Sequence, residues 1–323
     1  MRLIGACPST RRCLSSALGS LAVVLAANAP TAWALRPPAA YTGEAARITV
    51  SSAELKGSVF PEFQPTSYYF QYGPTSSYGL QTPLVAAGAG PGPIHVTAVI
   101  SALSAGASYH FRLVVVNSSG TGLGADRQFA TKKIPLTFAV SATPTRVILG
   151  SLFSVSGTLT GTGAAGHLVV LQGNPFPYLS PFEDVAPPQL TDGSGGFSFT
   201  MPSLPRSTEL RVATLDTPPS VSRVMLELVA VRVTLHVRAT GRPGFARLFG
   251  TVAPRQLAAL VLLQRLDRRR GPVTAASAVT VGGAAASSRF SRVVRIRRPG
   301  LYRALALVSG AQVSGASHVV KID

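Results

Sequence analysis

Cysteine is nearly absent from this 323-residue chain. It has two, Cys7 and Cys13, both within the first thirteen residues. That excludes a disulfide-framework miniprotein. Once the leader described below is removed, the chain has no thiol, which excludes cysteine nucleophiles, iron–sulfur clusters and cysteine-based zinc sites. Acid is scarce as well. There are 12 Asp+Glu against 30 Lys+Arg, a net charge of +18, and only 13% of residues are charged. Two carboxylates adjoin once, at Glu183-Asp184. Glycosidase chemistry needs two carboxyls roughly 5–10 Å apart across a bond, and nothing in the sequence implies a cleft that would pair Glu183 or Asp184 with Asp192. The five histidines, His95, His110, His167, His236 and His318, are scattered and lack the i, i+4 or short spacing of a metal site. There is no G-x-S-x-G elbow and no loop of alternating Asp/Asn for calcium. No catalytic residue, metal ligand or cofactor is therefore expected. The 46% hydrophobic content excludes a chain too polar to fold.

Long apolar runs are confined to the N-terminus. Arg2, Arg11 and Arg12 form a basic region without acid, Leu14 to Ala29 is apolar, and Ala32-Trp33-Ala34 is an A-x-A exit. Charge, apolar run and small-residue site in that order predict an export signal over 1–34. The run of about 16 residues is short for a span needing ~20. Thr10-Arg11-Arg12-Cys13-Leu14 partly matches a twin-arginine motif, so both export routes stay open. Later, the most apolar stretch is 221–237, and it contains Arg223, Glu227 and Arg232. A secreted or cell-envelope-associated protein without a mature transmembrane span is expected.

What remains is β in pattern. Short runs rich in Val, Leu, Thr, Tyr and Phe alternate in polarity between Gly/Pro/Ser/Asn clusters, among them Ser67–Tyr72, His95–Ser101, Ser108–Asn117, Leu168–Gln172, Phe197–Met201, Leu210–Leu215, Val231–Val237, Leu260–Leu266, Phe290–Ile296 and Tyr302–Val308. Gly161-Thr-Gly163-Ala-Ala-Gly166 matches G-x-G-x-x-G, but a strand follows it, not the helix a dinucleotide site requires, so it reads as a hairpin loop. Gly120-Thr-Gly122-Leu-Gly124 and Asp192-Gly-Ser-Gly-Gly196 read as turns.

Residues 35–133 carry Tyr68-Tyr-Phe-Gln-Tyr-Gly73, then Leu103-Ser-Ala-Gly-Ala-Ser-Tyr109-His-Phe111-Arg-Leu113-Val-Val115-Val-Asn117, then Phe129-Ala-Thr131. This segment resembles a fibronectin type III-like domain. Alternation puts Tyr109, Phe111, Leu113 and Val115 on one core face and His110 on the solvent face. Leu103 with Tyr109 fits the tyrosine arrangement in which the hydroxyl bonds back to the backbone.

The rest repeats internally. Phe153-x-Val155-x-Gly157 matches Ala246-x-Leu248-x-Gly250, Leu168-Val-Val-Leu-Gln172 matches Leu260-Val-Leu-Leu-Gln264, Phe197-Ser-Phe199 matches Phe290-Ser-Arg292, and Leu210-Arg-Val-Ala213 matches Tyr302-Arg-Ala-Leu305, at offsets of 92 or 93. Two units follow, 134–230 and 231–323. Each resembles the Ig-like β-sandwich repeats of bacterial surface and secreted proteins. The fold class is then all-β, with three tandem β-sandwich (fibronectin III-like/Ig-like) domains behind a signal peptide. Linkers are short, and the junction near Ala230 has neither Gly nor Pro, which implies limited flexibility.

Two surface features are candidates for binding. Phe176, Tyr178 and Phe182, between prolines, suit stacking on a glycan or a partner protein; the competing reading is that they cap their own sandwich. The other is charge. Residues 231–323 hold 16 Lys/Arg against Asp267 and Asp323, a net of +14. The cluster Arg265, Arg268, Arg269, Arg270 is followed by Arg289, Arg292, Arg295, Arg297, Arg298 and Arg303. Period-two geometry places Arg295 and Arg297 on one strand face, about 7 Å apart. Arg265, Arg268, Arg269, Arg270, Arg295, Arg297 and Arg298 are the expected polyanion contacts. The competing reading is an arginine bias of the whole chain, 26 Arg to four Lys. The expected function is a non-enzymatic interaction or spacer protein, with adhesion among its roles, whose basic domain contacts anionic envelope polymers, acidic polysaccharide, anionic lipid head groups or extracellular DNA without sequence specificity. The alternatives are a carbohydrate-binding module using residues 176–182 and an accessory spacer for a separate envelope enzyme.

Overall fold

The structure is a computed structural model and describes residues 36–323. The export leader, with its basic region, its apolar run and both cysteines, lies outside the described residues. Among the described residues there is no helix; the chain forms six sheets. Among the described residues no helix is long and apolar enough to cross a membrane.

The sheets face each other in pairs across three separate apolar cores. In the first pair, Ala53–Phe60 lies between Ala39–Thr42 and Ile94–Ile100. The opposing sheet is centred on Thr66–Gly73 paired antiparallel with Ser108–Asn117. Leu80–Gln81 and Val85–Gly88 flank the former strand, and Gly120–Leu123 and Arg127–Ala130 flank the latter. Tyr109, Phe111, Leu113 and Val115 are all buried, as alternation requires, together with Leu55, Phe70 and Phe129. Each fully buried Phe or Leu contributes roughly 1.5–3 kcal/mol of transfer free energy. The Ser104 N–H donates to the Tyr109 hydroxyl at 2.9 Å, which is the backbone tie expected of that tyrosine.

In the middle pair, Leu152–Thr160 lies between Thr137–Thr143 and Gly196–Pro202. Opposite runs the order Arg146–Ile148, Met225–Ala230, Thr208–Thr214, Leu168–Pro175, Glu183–Asp184, with Gln189–Leu190 also on Leu168–Pro175. One pairing is parallel, Arg146–Ile148 with Met225–Ala230. In the last pair, Phe245–Ala253 lies between Ser288–Arg295 and the short strands Arg232–Val233 and His236–Ala239, and Val281–Gly282 pairs the start of Ser288–Arg295. Opposite, Leu260–Asp267 lies between Gly271–Val279 and Gly300–Leu307, and Gly315–Ala316 and Val320–Ile322 close the other side. The repeat is thus visible in the register. Val155 opposes Phe199 in one copy, and Leu248 opposes Arg292 in the other.

Some local readings change. Gly120–Leu123 is a strand paired with Ser108–Asn117, not a turn. The 161–166 loop joins strands of opposite sheets, so it is a crossover and not a hairpin. The same holds for the Asp192 turn, where the Asp192 carboxylate accepts from the Ser194 and Gly196 amides at 2.8 Å each. The 231–237 run breaks at Thr234-Leu235, where Leu235 turns fully into the core. His110 is half-buried and bonds Asp126 at 2.8 Å.

The 307–316 segment binds the end of the middle sandwich. Ser207 N–H donates to Ala311 O at 2.7 Å, Val313 N–H to Val229 O at 2.9 Å, and Val231 N–H to Val313 O at 3.0 Å. The Gln312 side chain donates to Pro205 O at 2.9 Å, and the Arg146 guanidinium donates to Ser314 O. Val231, the first residue past Ala230, is itself in the core of the last sandwich. These bonds are the physical content of a junction lacking Gly and Pro.

Candidate anion-binding cleft

The last sandwich is open at one edge. Gly271–Val279 ends its sheet, and Ser288–Arg295 is paired on that side only at Arg289 and Ser288. A β-bulge opposite Leu263/Gln264, where Ala275 is the extra residue, bends Gly271–Val279 at this point. Between the two strands lies a cleft of about 510 Å³. Its walls include residues 273–276 of one strand and 292–295 of the other, with Arg265, Arg297, Arg298 and Tyr302. Consecutive residues of a strand point to opposite faces, so walls made of four in a row are strand edges.

Two of the arginines lie on the core-facing side of their strands, Arg292 exposed at the open edge and Arg265 half-buried. Arg292 lies between Phe290 and Val294, both buried, and opposes Leu248, which is fully buried. The matching residue of the middle sandwich is Phe199, among its largest fully buried side chains. Arg265 continues the inward series Val261 and Leu263 and opposes buried Tyr302. Its counterpart is Gly173, where an added Cβ would lie 2.8 Å from the Val185 side chain. A phenylalanine and a glycine of one copy are therefore arginines in the other, contributed from opposed sheets. Arg292 borders the cleft at the position where the middle copy carries that ring.

The positive charge is barely compensated. Arg265 bonds Asp267 at 2.9 Å. The Asp267 carboxylate also accepts from the Arg269 and Arg270 amides, at 3.0 and 3.1 Å, and these bonds hold its pKa below the usual carboxylate value. Among the described residues, the guanidinium groups of Arg292, Arg295, Arg297 and Arg298 have no acceptor. The Tyr302 hydroxyl donates to Arg298 O at 3.0 Å and fixes the turn that presents Arg297 and Arg298. Arg295 and Arg297 also border a second hollow with Arg242 and Phe245, where the Arg242 guanidinium lies 4.4 Å from the ring centre.

The expected polyanion residues thus divide. Arg265, Arg295, Arg297 and Arg298 come together at the cleft. Arg268, Arg269 and Arg270 form the exposed hairpin tip between Leu260–Asp267 and Gly271–Val279, with Arg269 and Arg270 bonded through their backbone to Asp267. The strand ends at Arg295, so Arg297 reaches the cleft from the turn and not by strand alternation. Arg292 was not among the expected contacts. Its signal was the mismatch in Phe197-Ser-Phe199 against Phe290-Ser-Arg292.

The aromatic loop is differently placed. Phe176 and Tyr178 meet edge to face at 5.5 Å, and Phe182 lies under the Arg211 guanidinium at 4.2 Å. All three rings are half-buried, and the exposed apolar tip is Leu179. Arg211 is itself held by Gln172 at 3.0 Å. The same cross-strand Gln–Arg bond recurs as Gln71–Arg112 at 2.8 Å and Gln264–Arg303 at 3.0 Å. Phe182 on Arg211 has a parallel in Tyr78, which packs 4.8 Å from Arg112 in the first sandwich. Among the described residues, no group of three or more His, Cys, Asp and Glu side chains is placed to hold a metal ion.

No protein-family model matches the chain, and no curated protein matches it. Among solved structures, it is similar to a tetra-tandem repeat from the extending region of a large adhesion protein, at 17% identity and a TM-score of 0.39, covering 88% of this chain and 74% of that one. It is also similar to the FN1–FN3 domains of chicken CNTN1, at 14% identity and a TM-score of 0.28, covering 88% and 98%. No residue role passes from either to this chain, which stands as an all-β protein of paired, stacked sheets.

Proposed function

We propose that this chain is a secreted or envelope-associated, non-enzymatic interaction and spacer protein held to anionic envelope polymers by its last sandwich. The observation that supports this most is the cleft edge, where Arg292, Arg295, Arg297 and Arg298 converge without an acceptor of their own. A basic concavity of this kind raises the local concentration of polyanions and speeds their association at low salt. The first two sandwiches then serve as spacers, with the hydrogen-bonded junction at 307–316 limiting bending.

Retention of the full chain on dextran sulfate, compared with uncharged dextran, tests the reading. Binding should fall steeply as salt rises from about 0.1 M to about 1 M, where the screening length drops from about 10 to 3 Å. Replacing Arg295, Arg297 and Arg298 by Ser should weaken it at least tenfold. Binding that ignores both salt and these substitutions refutes a charge-based attachment.

A further inference from the structure

The charge reading requires only a positive surface, but the cleft has more than that. Arg292 and Arg265 project from opposed sheets at core-facing positions, so an anion between them is flanked on two sides. Arg265 is partly neutralised by Asp267, while Arg292 has no partner among the described residues. A planar guanidinium pairs two oxygens of one oxyanion at once. Three further guanidinium groups, of Arg295, Arg297 and Arg298, bring more donors than one carboxylate can satisfy, whereas a phosphate or sulfate group offers an acceptor on every side. The volume of about 510 Å³ is also far larger than one oxyanion needs, and lies within the range of small-molecule pockets. The remaining wall is short and neutral, Val273, Thr274, Ala275 and Ala276, and suits the body of a sugar unit more than a second charge.

We propose that the cleft between Ser288–Arg295 and Gly271–Val279 is a subsite for one phosphorylated or sulfated sugar unit, with the oxyanion on Arg292 and the sugar against residues 273–276. The proposal rests on the polyanion reading but assigns it to a defined slot and removes the Arg268-Arg269-Arg270 tip from it. Arg297 and Arg298, at the mouth, supply further donors to the same oxyanion. Inward charge on a strand edge also discourages edge-to-edge self-association, and the slot uses the same residue for both purposes.

The test uses the full chain and four probes: glucose 6-phosphate, glucose 6-sulfate, glucuronate and glucose. Binding is followed by changes in NMR amide shifts or by calorimetry. The phosphate and sulfate sugars should bind at least fivefold tighter than glucuronate, with shifts centred on residues 273–276 and 292–295, and glucose should not bind. Arg292→Lys keeps the charge but loses the fork, and should weaken sugar-phosphate binding at least fivefold. Arg292→Phe fills the slot and should abolish sugar-phosphate binding. Replacing Arg268, Arg269 and Arg270 by Ser should leave it intact. If Arg292→Lys and Arg292→Phe bind sugar phosphate like the parent, or if the tip substitutions abolish binding, the slot is wrong and the wider charge reading survives. If dextran sulfate fails to bind as well, both fall. Equal binding of glucuronate would overturn the phosphate or sulfate assignment and leave a general carboxylate or phosphate slot.

Discussion

Glu227 offers the sharpest test of the energetics of this chain. It lies in Met225–Ala230, on the same face as Met225 and Val229, and is fully buried. Among the described residues, neither carboxylate oxygen has a hydrogen-bond partner. Burial disfavours the ionised form, and the pKa is pushed up from 4.5 to about 7. The consequence for stability has a definite sign. Below pH 4.5 the carboxyl is protonated in both folded and unfolded chains and costs nothing extra. Between 4.5 and about 7 the unfolded chain releases its proton while the folded chain keeps it, so stability falls as pH rises. Above about 7 both forms are ionised and the penalty is complete. Each pKa unit is worth about 1.4 kcal/mol, so the total is on the order of 3 kcal/mol. That is a sizeable part of the 5–15 kcal/mol typical of a whole domain.

The assay is hydrogen exchange of the amides in Thr208–Thr214 and Met225–Ala230, corrected for intrinsic rates, between pH 5 and 8. Their opening free energy should drop by most of this amount in the parent. In Glu227→Gln it should be nearly flat, because the amide cannot ionise, and Glu227→Leu should be both flat and higher at pH 8. The junction bonds from Val229 and Ser207 to the last sandwich should weaken in the same window, since they extend from this strand and its neighbour. A pH dependence that persists in Glu227→Gln refutes the assignment. So does a parent with no dependence at all, which would mean the carboxylate is solvated.

Three further outcomes follow from packing and hydrogen bonding. Arg292→Phe restores the ring that the middle copy has at Phe199 and should stabilise the last sandwich by roughly 2 kcal/mol if it packs fully, read as a rise of about 8–16 °C in the corresponding calorimetric transition; a lower transition would mean the cleft cannot close around a ring. Gly250→Ala should be strongly destabilising, by roughly 2–4 kcal/mol, because the new Cβ would lie 1.9 Å from the Thr234 carbonyl oxygen; wild-type behaviour in denaturant titration would contradict this backbone contact. Tyr109→Phe removes the acceptor of the Ser104 amide and should cost about 1 kcal/mol, with faster exchange of that amide as the direct readout.

Much of the fold was legible because its signals are local. Alternation in Ser108–Asn117 gave both the strand and its buried face, and the repeat offsets gave corresponding strands in the second and third sandwiches. The first sandwich, which resembles a fibronectin type III-like domain, shares several positions with the two repeats. Leu55-Lys-Gly57, Gln71 and Arg112 stand about one hundred residues before Val155-Ser-Gly157, Gln172 and Arg211. This match is faint in the sequence because it is carried by single residues whose meaning is tertiary. A glycine at 57 or 157 is required by a carbonyl on the neighbouring strand, 2.8 Å from the Cβ of the one and 2.2 Å from that of the other. A glutamine is required by an arginine about forty residues away. Strand Gly271–Val279 was not among the runs read as strands, because Pro272 and a stretch of Thr, Ala and Ser weaken its pattern. Without that edge, the cleft has no second wall, and the arginines read as a surface rather than a slot.

The comparison that carries most weight is therefore between copies inside one chain. Where two units share a backbone plan, the elements that hold the plan should agree, and the elements that a unit uses for itself are free to differ. Gly157 and Gly250, and the Gln172–Arg211 and Gln264–Arg303 bonds, agree, and each has a packing or hydrogen-bonding reason to. Phe199 and Gly173 against Arg292 and Arg265 do not agree: a buried ring and a tightly packed glycine give way to an exposed and a half-buried cation on the core-facing side of their strands. Arginine bias in composition explains extra guanidinium groups on a surface, where substitutions cost little. It does not explain two of them entering from opposed sheets at one end of one sandwich, beside a bulge that opens the edge. A site that must accept an anion explains the placement of both, and of Arg297 and Arg298 at its mouth, without any further assumption.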